Sequence, residues 1–217
     1  MKWSVQAWER VKPIYNQILT MPFNSELSNG TLPKEKFIFY LAQDAYYLLE
    51  FGRTLSTISG RMQNAELVLA YAGFSTGAIF AEQHLHESYF VEFGLPGKVE
   101  PTPSTLLYTN YILNQAVYAS VEVAAAAVLP CFWIYKAVGD YIFAQQTGDQ
   151  NPYKRWIDMY AGAEFAAAVE KAIAITDQLA TGTNAGTREK MLAVFEMATR
   201  LEWMFWDSAY EQEKWKI

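Results

Sequence analysis

The 217 residues carry a formal net charge of −6, and 52% of them are apolar. That apolar share excludes a disordered chain, and an acidic balance without any clustered Lys/Arg run argues against a nucleic-acid or anionic-membrane partner. A single cysteine, Cys131, rules out an intramolecular disulfide and fits a reducing, cytoplasmic setting. Residues 1–13 show no apolar core of the signal-peptide kind.

Apolar spacing predicts a first helix over residues 3–19, with Trp8, Val11, Tyr15, Ile18 and Leu19 in period. Residues 20–33 are rich in Asn, Ser, Gly and Pro and read as a loop. Pro33 is set to start a helix over 34–59, because its fixed φ suits a first turn and its missing N–H is not needed there. Phe37, Leu41, Leu48, Phe51 and Leu55 keep the helical period. Residues 65–93 read as helix, the Gly- and Pro-rich stretch after them breaks it, and a helix resumes over 103–116. An Ala-rich helix is predicted over 120–146. Its apolar run, 123–135, is shorter than the roughly 20 residues a bilayer takes and reads as a buried core helix. Asn151 as N-cap and Pro152 at the first helical position open a helix reaching 179. A turn then precedes a last helix over 188–214. No stretch alternates apolar and polar residues with β-branched enrichment, so no sheet is expected. With no linker and no internal repeat, residues 1–217 are expected to form a single all-α domain, a bundle of about seven or eight helices.

Aromatic residues make up 16% of the chain, and they either thicken a core or wall a pocket for a flat ligand. Cys131 sits in "VLPCFWIYKAVG". A free cysteine commonly packs as a small hydrophobe, whereas a reactive one needs a lowered pKa or a nearby base. Tyr135 lies one turn on, on the same face, and Pro130 frees a carbonyl and bends the helix. Asp44 stands in the apolar helix "YLAQDAYYLLEFG" with Tyr47 at i+3. An acid on such a face is costly unless paired or bound to something. Glu202, in "RLEWMFWDSAY", is either a surface neighbour of the aromatics or an acid in an apolar pocket, where burial would raise its pKa toward general acid work. Glu50, Glu82, Glu122 and Glu164 are rival acids that periodicity does not rank. His86 follows Glu82 by four residues, but only His84 accompanies it, so a di-iron or haem site is disfavoured and no metal is expected. Phosphate-loop, dinucleotide, C-x-x-C and nucleophile-elbow motifs are absent from the sequence.

Four blocks, "LPKEKFIFYLAQDAYYLLEF", "LPCFWIYKAVG", "YKRWIDMYAG" and "LEWMFWDSAY", together resemble the TenA family, the thiaminase II group, in order and spacing along essentially the whole chain. The "LPC" block resembles the cysteine-containing branch. The resemblance implies a haem-oxygenase-like fold without haem or other cofactor, a homotetramer, and an aminopyrimidine or thiamin as substrate. It implies Cys131 as nucleophile, Glu202 as the acid that protonates the ring, and Tyr47 as the residue that orients the cysteine. It also implies Asp44 as the group that holds the ring's amino edge, Tyr108 as a stacking aromatic, and Tyr135 and Tyr160 as pocket hydroxyls. Lys136 in "YKAVG", and Ala163 and Glu164 in "YAGAEF", depart from the family pattern at positions without chemistry. The implied activity is an aminopyrimidine aminohydrolase with thiaminase II activity, in thiamin salvage. A catalytically silent pyrimidine-binding or regulatory protein is the alternative.

Overall fold

The structure, a computed structural model, describes residues 1–93, 100–148 and 150–217, without the side chains at 82, 84–88 and 90–93. Nine helices and no strand run through the described residues. They are α1 (Trp3–Thr20), α2 (Pro22–Ser28), α3 (Lys34–Ser59), α4 (Ala65–Phe93), α5 (Pro103–Tyr118), α6 (Val121–Ala144), α7 (Lys154–Ala161), α8 (Ala163–Thr181) and α9 (Ala185–Tyr210).

The structure corrects four sequence expectations. Residues 20–33 are not all loop: Pro22 opens α2, and Phe23 and Leu27 are buried, so tertiary packing holds seven residues of otherwise turn-like composition in a helix. The predicted helix over 152–179 is two helices. Gly162, with extended backbone (φ −63, ψ 152), ends α7 and serves as the N-cap position of α8. Asn151 does not cap α7. Its Oδ1 accepts from the Tyr153 N–H at 2.9 Å, which makes a turn, and the helix begins only at Lys154. The last helix begins at Ala185 and ends at Tyr210, with Asn184 Oδ1 accepting from the Thr187 N–H at 2.9 Å as its cap.

The Ala-rich α6 is the central element. Every residue from Val123 to Phe132 on it is buried, and α5, α7, α8 and α9 all pack against it. Four consecutive alanines keep its surface low, so neighbouring helices approach its axis closely. α6 is 24 residues long, and by length and composition it could cross a membrane; 72% of its most apolar window is buried against the other helices. Two glycines mark where backbones meet. A Cβ at Gly52 on α3 would lie 2.8 Å from Ile79 Cδ1 of α4, and one at Gly139 on α6 would lie 2.7 Å from Tyr160 Cβ of α7. The second contact seats Tyr160 directly on α6.

Gly139→Ala is therefore expected to push α7 away from α6. Overpacking of this kind costs about 1–3 kcal/mol. Thermal unfolding should show a lowered Tm. Because Tyr160 moves with α7, ligand binding should weaken as well; an unchanged Tm would contradict the close contact.

Candidate active site

Helical periodicity aims one set of polar side chains at a common interior. On α3, Tyr40, Asp44 and Tyr47 stand at i, i+4 and i+7. α5 contributes Tyr108, α6 contributes Cys131 and Tyr135 one turn apart, and α7 contributes Tyr160. α9 contributes Glu202 and, one turn on, Trp206. All of them are buried, Glu202 completely. Each of the seven sequence-predicted site residues therefore faces the same aromatic interior.

The rings pack tilted against one another. Tyr47 lies 4.9 Å from Tyr108 and 5.5 Å from Phe205 between ring centroids. Tyr135 lies 4.9 Å from Tyr160 and 4.6 Å from Trp206. The Tyr108 hydroxyl donates to Glu202 Oε1 at 2.6 Å. The other carboxyl oxygen, Oε2, and the Trp206 indole N–H are buried without a hydrogen-bond partner, and the Tyr47 hydroxyl has no well-aligned one. Buried polar atoms are normally satisfied. The unmet polar atoms of Glu202 and Trp206 offer hydrogen-bonding positions to a polar ligand.

Electrostatics bind these groups into one unit. Burial pushes the Glu202 carboxyl from an ordinary value of 4.5 up to about 8; the Tyr108 hydrogen bond pulls it back, and the charge of Asp44 adds to the rise. Desolvation thus outweighs the hydrogen bond, and at neutral pH Glu202 is mainly a protonated acid. Burial also holds the Cys131 thiol well above its ordinary pKa, reinforced by Glu202; the Tyr47 hydroxyl acts in the opposite sense, and Asp44 adds to the rise. Tyr160 is raised by burial and then by Asp44. Tyr135 is raised by burial, then by Tyr40, then by Asp44.

The rival acids stand elsewhere. Glu50 pairs with the surface Arg53, Glu122 lies in the first turn of α6, and Glu164 is exposed in the first turn of α8. Lys136 pairs with Asp140 along α6. The side chains of Glu82, His84 and His86 lie outside the described residues. No group of three or more His, Cys, Asp or Glu that could hold a metal occurs among the described residues. Sequence reading overlooked Tyr40 and Trp206. The same spacing rule would have found them, since each stands one turn from a predicted acid.

Comparison with known proteins places this chain in a family. The profile of the TENA/THI-4/PQQC family matches residues 8–212, and the chain belongs to that family. The aminopyrimidine aminohydrolase of Halalkalibacterium halodurans is 31% identical over 99% of this chain and 98% of its own length. The thiamine biosynthesis multifunctional protein ThiED of Corynebacterium efficiens is 34% identical over 94% of this chain; the match spans only 28% of that longer protein. The solved TenA homologue from P. horikoshii superposes with a TM-score of 0.88 at 25% identity, covering 97% of this chain and 99% of its own. The helical architecture is that of a haem-oxygenase-like domain from Shewanella denitrificans, with a TM-score of 0.77 at 14% identity.

The raised Glu202 pKa has a sign that stability measurements can check. The native state holds a proton that the unfolded chain releases near pH 4.5, so this contribution to stability is intact below that pH and is lost progressively as pH rises from there through about 8. Glu202→Gln should leave Tm little changed at pH 4 and raise it progressively toward pH 9. The difference there should be on the order of a few kcal/mol. A stabilisation independent of pH would contradict the assignment.

Proposed function

We propose that the chain, acting as one domain, is an aminopyrimidine aminohydrolase of the TenA type in thiamin salvage. It would hydrolyse 4-amino-5-aminomethyl-2-methylpyrimidine, and also thiamin, by cysteine nucleophilic catalysis. The observation that carries the reading is the convergence of a buried thiol, two buried acids and four tyrosines, with Glu202 Oε2 left open toward a ligand. The names of the full-length relatives support it.

An aminopyrimidine ring is flat, and both edges carry nitrogen. Asp44 binds the edge with the exocyclic amino group, and Glu202 addresses a nitrogen at the other side. Tyr108 walls the ring while its hydroxyl keeps Glu202 oriented. Because Cys131 is a thiol rather than a thiolate in the empty site, it reacts as S–H. Sulfur bonds to a ring carbon as the Glu202 proton passes to a ring nitrogen, and the thiol proton refills the Glu202 carboxylate. Burial raises both groups, so thiol and acid enter the exchange in their neutral forms. The electron-rich adduct then expels the group on the exocyclic methylene, ammonia from a protonated aminomethyl group or the neutral thiazole. Water adds to the methylene and releases its surplus proton to the departing base or to solvent, and the sulfur–carbon bond breaks as the ring nitrogen's proton returns to sulfur by way of Glu202. Tyr47 orients the thiol, and Tyr135 and Tyr160 hold the substrate by their hydroxyls.

Self-association as a homotetramer belongs to the same proposal. α4 turns Leu69, Ala72, Gly73, Thr76, Gly77 and Phe80 outward along one stripe, with Leu69 72% and Phe80 64% exposed. A Cβ at Gly73 or Gly77 would meet nothing within 4 Å, so a second helix could approach closely there. Nucleic acid, membrane and cofactor have no role in this proposal.

Cys131→Ser should abolish release of ammonia from the aminomethylpyrimidine while calorimetry still detects its binding. Turnover close to wild type would sink the mechanism. Phe80→Glu should shift the mass measured by light scattering toward smaller species; an unchanged mass would move the interface elsewhere.

A further inference from the structure

Tyr135 is the end of a hydrogen-bonded chain whose other members, Trp156 and Tyr40, have no role in the proposed reaction. Trp156 of α7 donates its indole N–H to the Tyr40 hydroxyl at 3.2 Å, and the Tyr40 hydroxyl donates to the Tyr135 hydroxyl at 3.4 Å. All three residues are buried, and Tyr40 and Trp156 are fully so. The Tyr40 ring is clamped by Phe23 at 5.1 Å, Phe205 at 5.9 Å and Trp156 at 6.2 Å between centroids, so its hydroxyl has little freedom to turn.

The ends of this chain are not equivalent. An indole N–H can only donate, whereas a phenol hydroxyl both donates and accepts. Trp156 therefore spends its proton on Tyr40, and Tyr40, which also lies within hydrogen-bonding reach of Tyr160, donates to Tyr135. With its oxygen already receiving a hydrogen bond, Tyr135 is left to spend its own proton on another acceptor. Tyr135 is one turn from Cys131 on α6, so the two side chains share one face of the helix.

We propose that Trp156 and Tyr40 form a polarity-setting relay that makes Tyr135 a hydrogen-bond donor toward the ligand held at Cys131, with Tyr40 as a positioning residue. The inference rests on the aminohydrolase reading above. The 3.4 Å link is long for two hydroxyls, and hydrogen bonds of this kind tighten when a ligand engages the far end.

The test is a double-mutant cycle on aminomethylpyrimidine turnover, with each variant first checked for wild-type circular dichroism. Tyr40→Phe deletes one oxygen and should lower kcat about tenfold with KM little changed, the worth of roughly one hydrogen bond. Tyr135→Phe should lower it at least as much. The double variant should be no slower than Tyr135→Phe alone, because Tyr40 acts through Tyr135. If Tyr40→Phe is without effect, or if the two losses multiply, the relay is refuted; a merely structural Tyr40 gives the second result. Should Tyr40→Phe fail to fold, Trp156→Phe replaces it in the same cycle with the same two outcomes. Full turnover by Cys131→Ser would defeat the reaction reading, and the cycle would still decide for or against the relay.

Discussion

A carboxyl group sealed away from water sets the terms for the rest of the site. Glu202 is completely buried, and its single strong partner is the Tyr108 hydroxyl. A neutral hydroxyl does not repay the desolvation of a carboxylate, so the group keeps its proton. That has two consequences. The interior needs no buried cation to balance Glu202 at neutral pH, and an acid is ready where a basic ring nitrogen would arrive. The same desolvation keeps the Cys131 sulfur protonated. Thiol and acid are thus both held in their neutral forms.

The scaffold supplies this arrangement through one recurring device, pairs of side chains one helical turn apart. Tyr40 and Asp44 on α3, Cys131 and Tyr135 on α6, and Glu202 and Trp206 on α9 face one another across the interior. Alanines on α6 and the glycine at 139 let α7 and α9 come close enough for their rings to meet Tyr135. Stability and function pull apart at Glu202. From about pH 4.5 upward its burial increasingly destabilises the fold, while the same burial raises its pKa. The surrounding cluster of packed rings, from Phe23 to Phe205, holds the site against that penalty.

Much of this was legible in the sequence. The long helices follow from apolar spacing, and Asp44 stands out because an acid inside an apolar face needs a reason, whereas Glu202 was singled out from its rivals only by the family resemblance. The order and spacing of four blocks then joined residues that periodicity alone could not connect. What was not legible has physical causes. Turn-forming composition around Pro22 hid α2, which packing of Phe23 and Leu27 stabilises. Gly162 reads as a tolerated helix glycine, yet it separates α7 from α8 and thereby sets Tyr160 on α6. The Trp156–Tyr40–Tyr135 chain spans three helices, and no local pattern encodes which hydroxyl meets which indole.

The proposed chemistry turns on Glu202 being a neutral acid at physiological pH. Carbon-13 NMR of selectively labelled glutamate side chains, with Glu202→Gln used to assign the resonance, measures its titration directly. A midpoint near 8 is the expected result. A midpoint close to the ordinary 4.5 would mean a carboxylate in the empty site and would contradict both the proton exchange with Cys131 and the role of Glu202 as the acid.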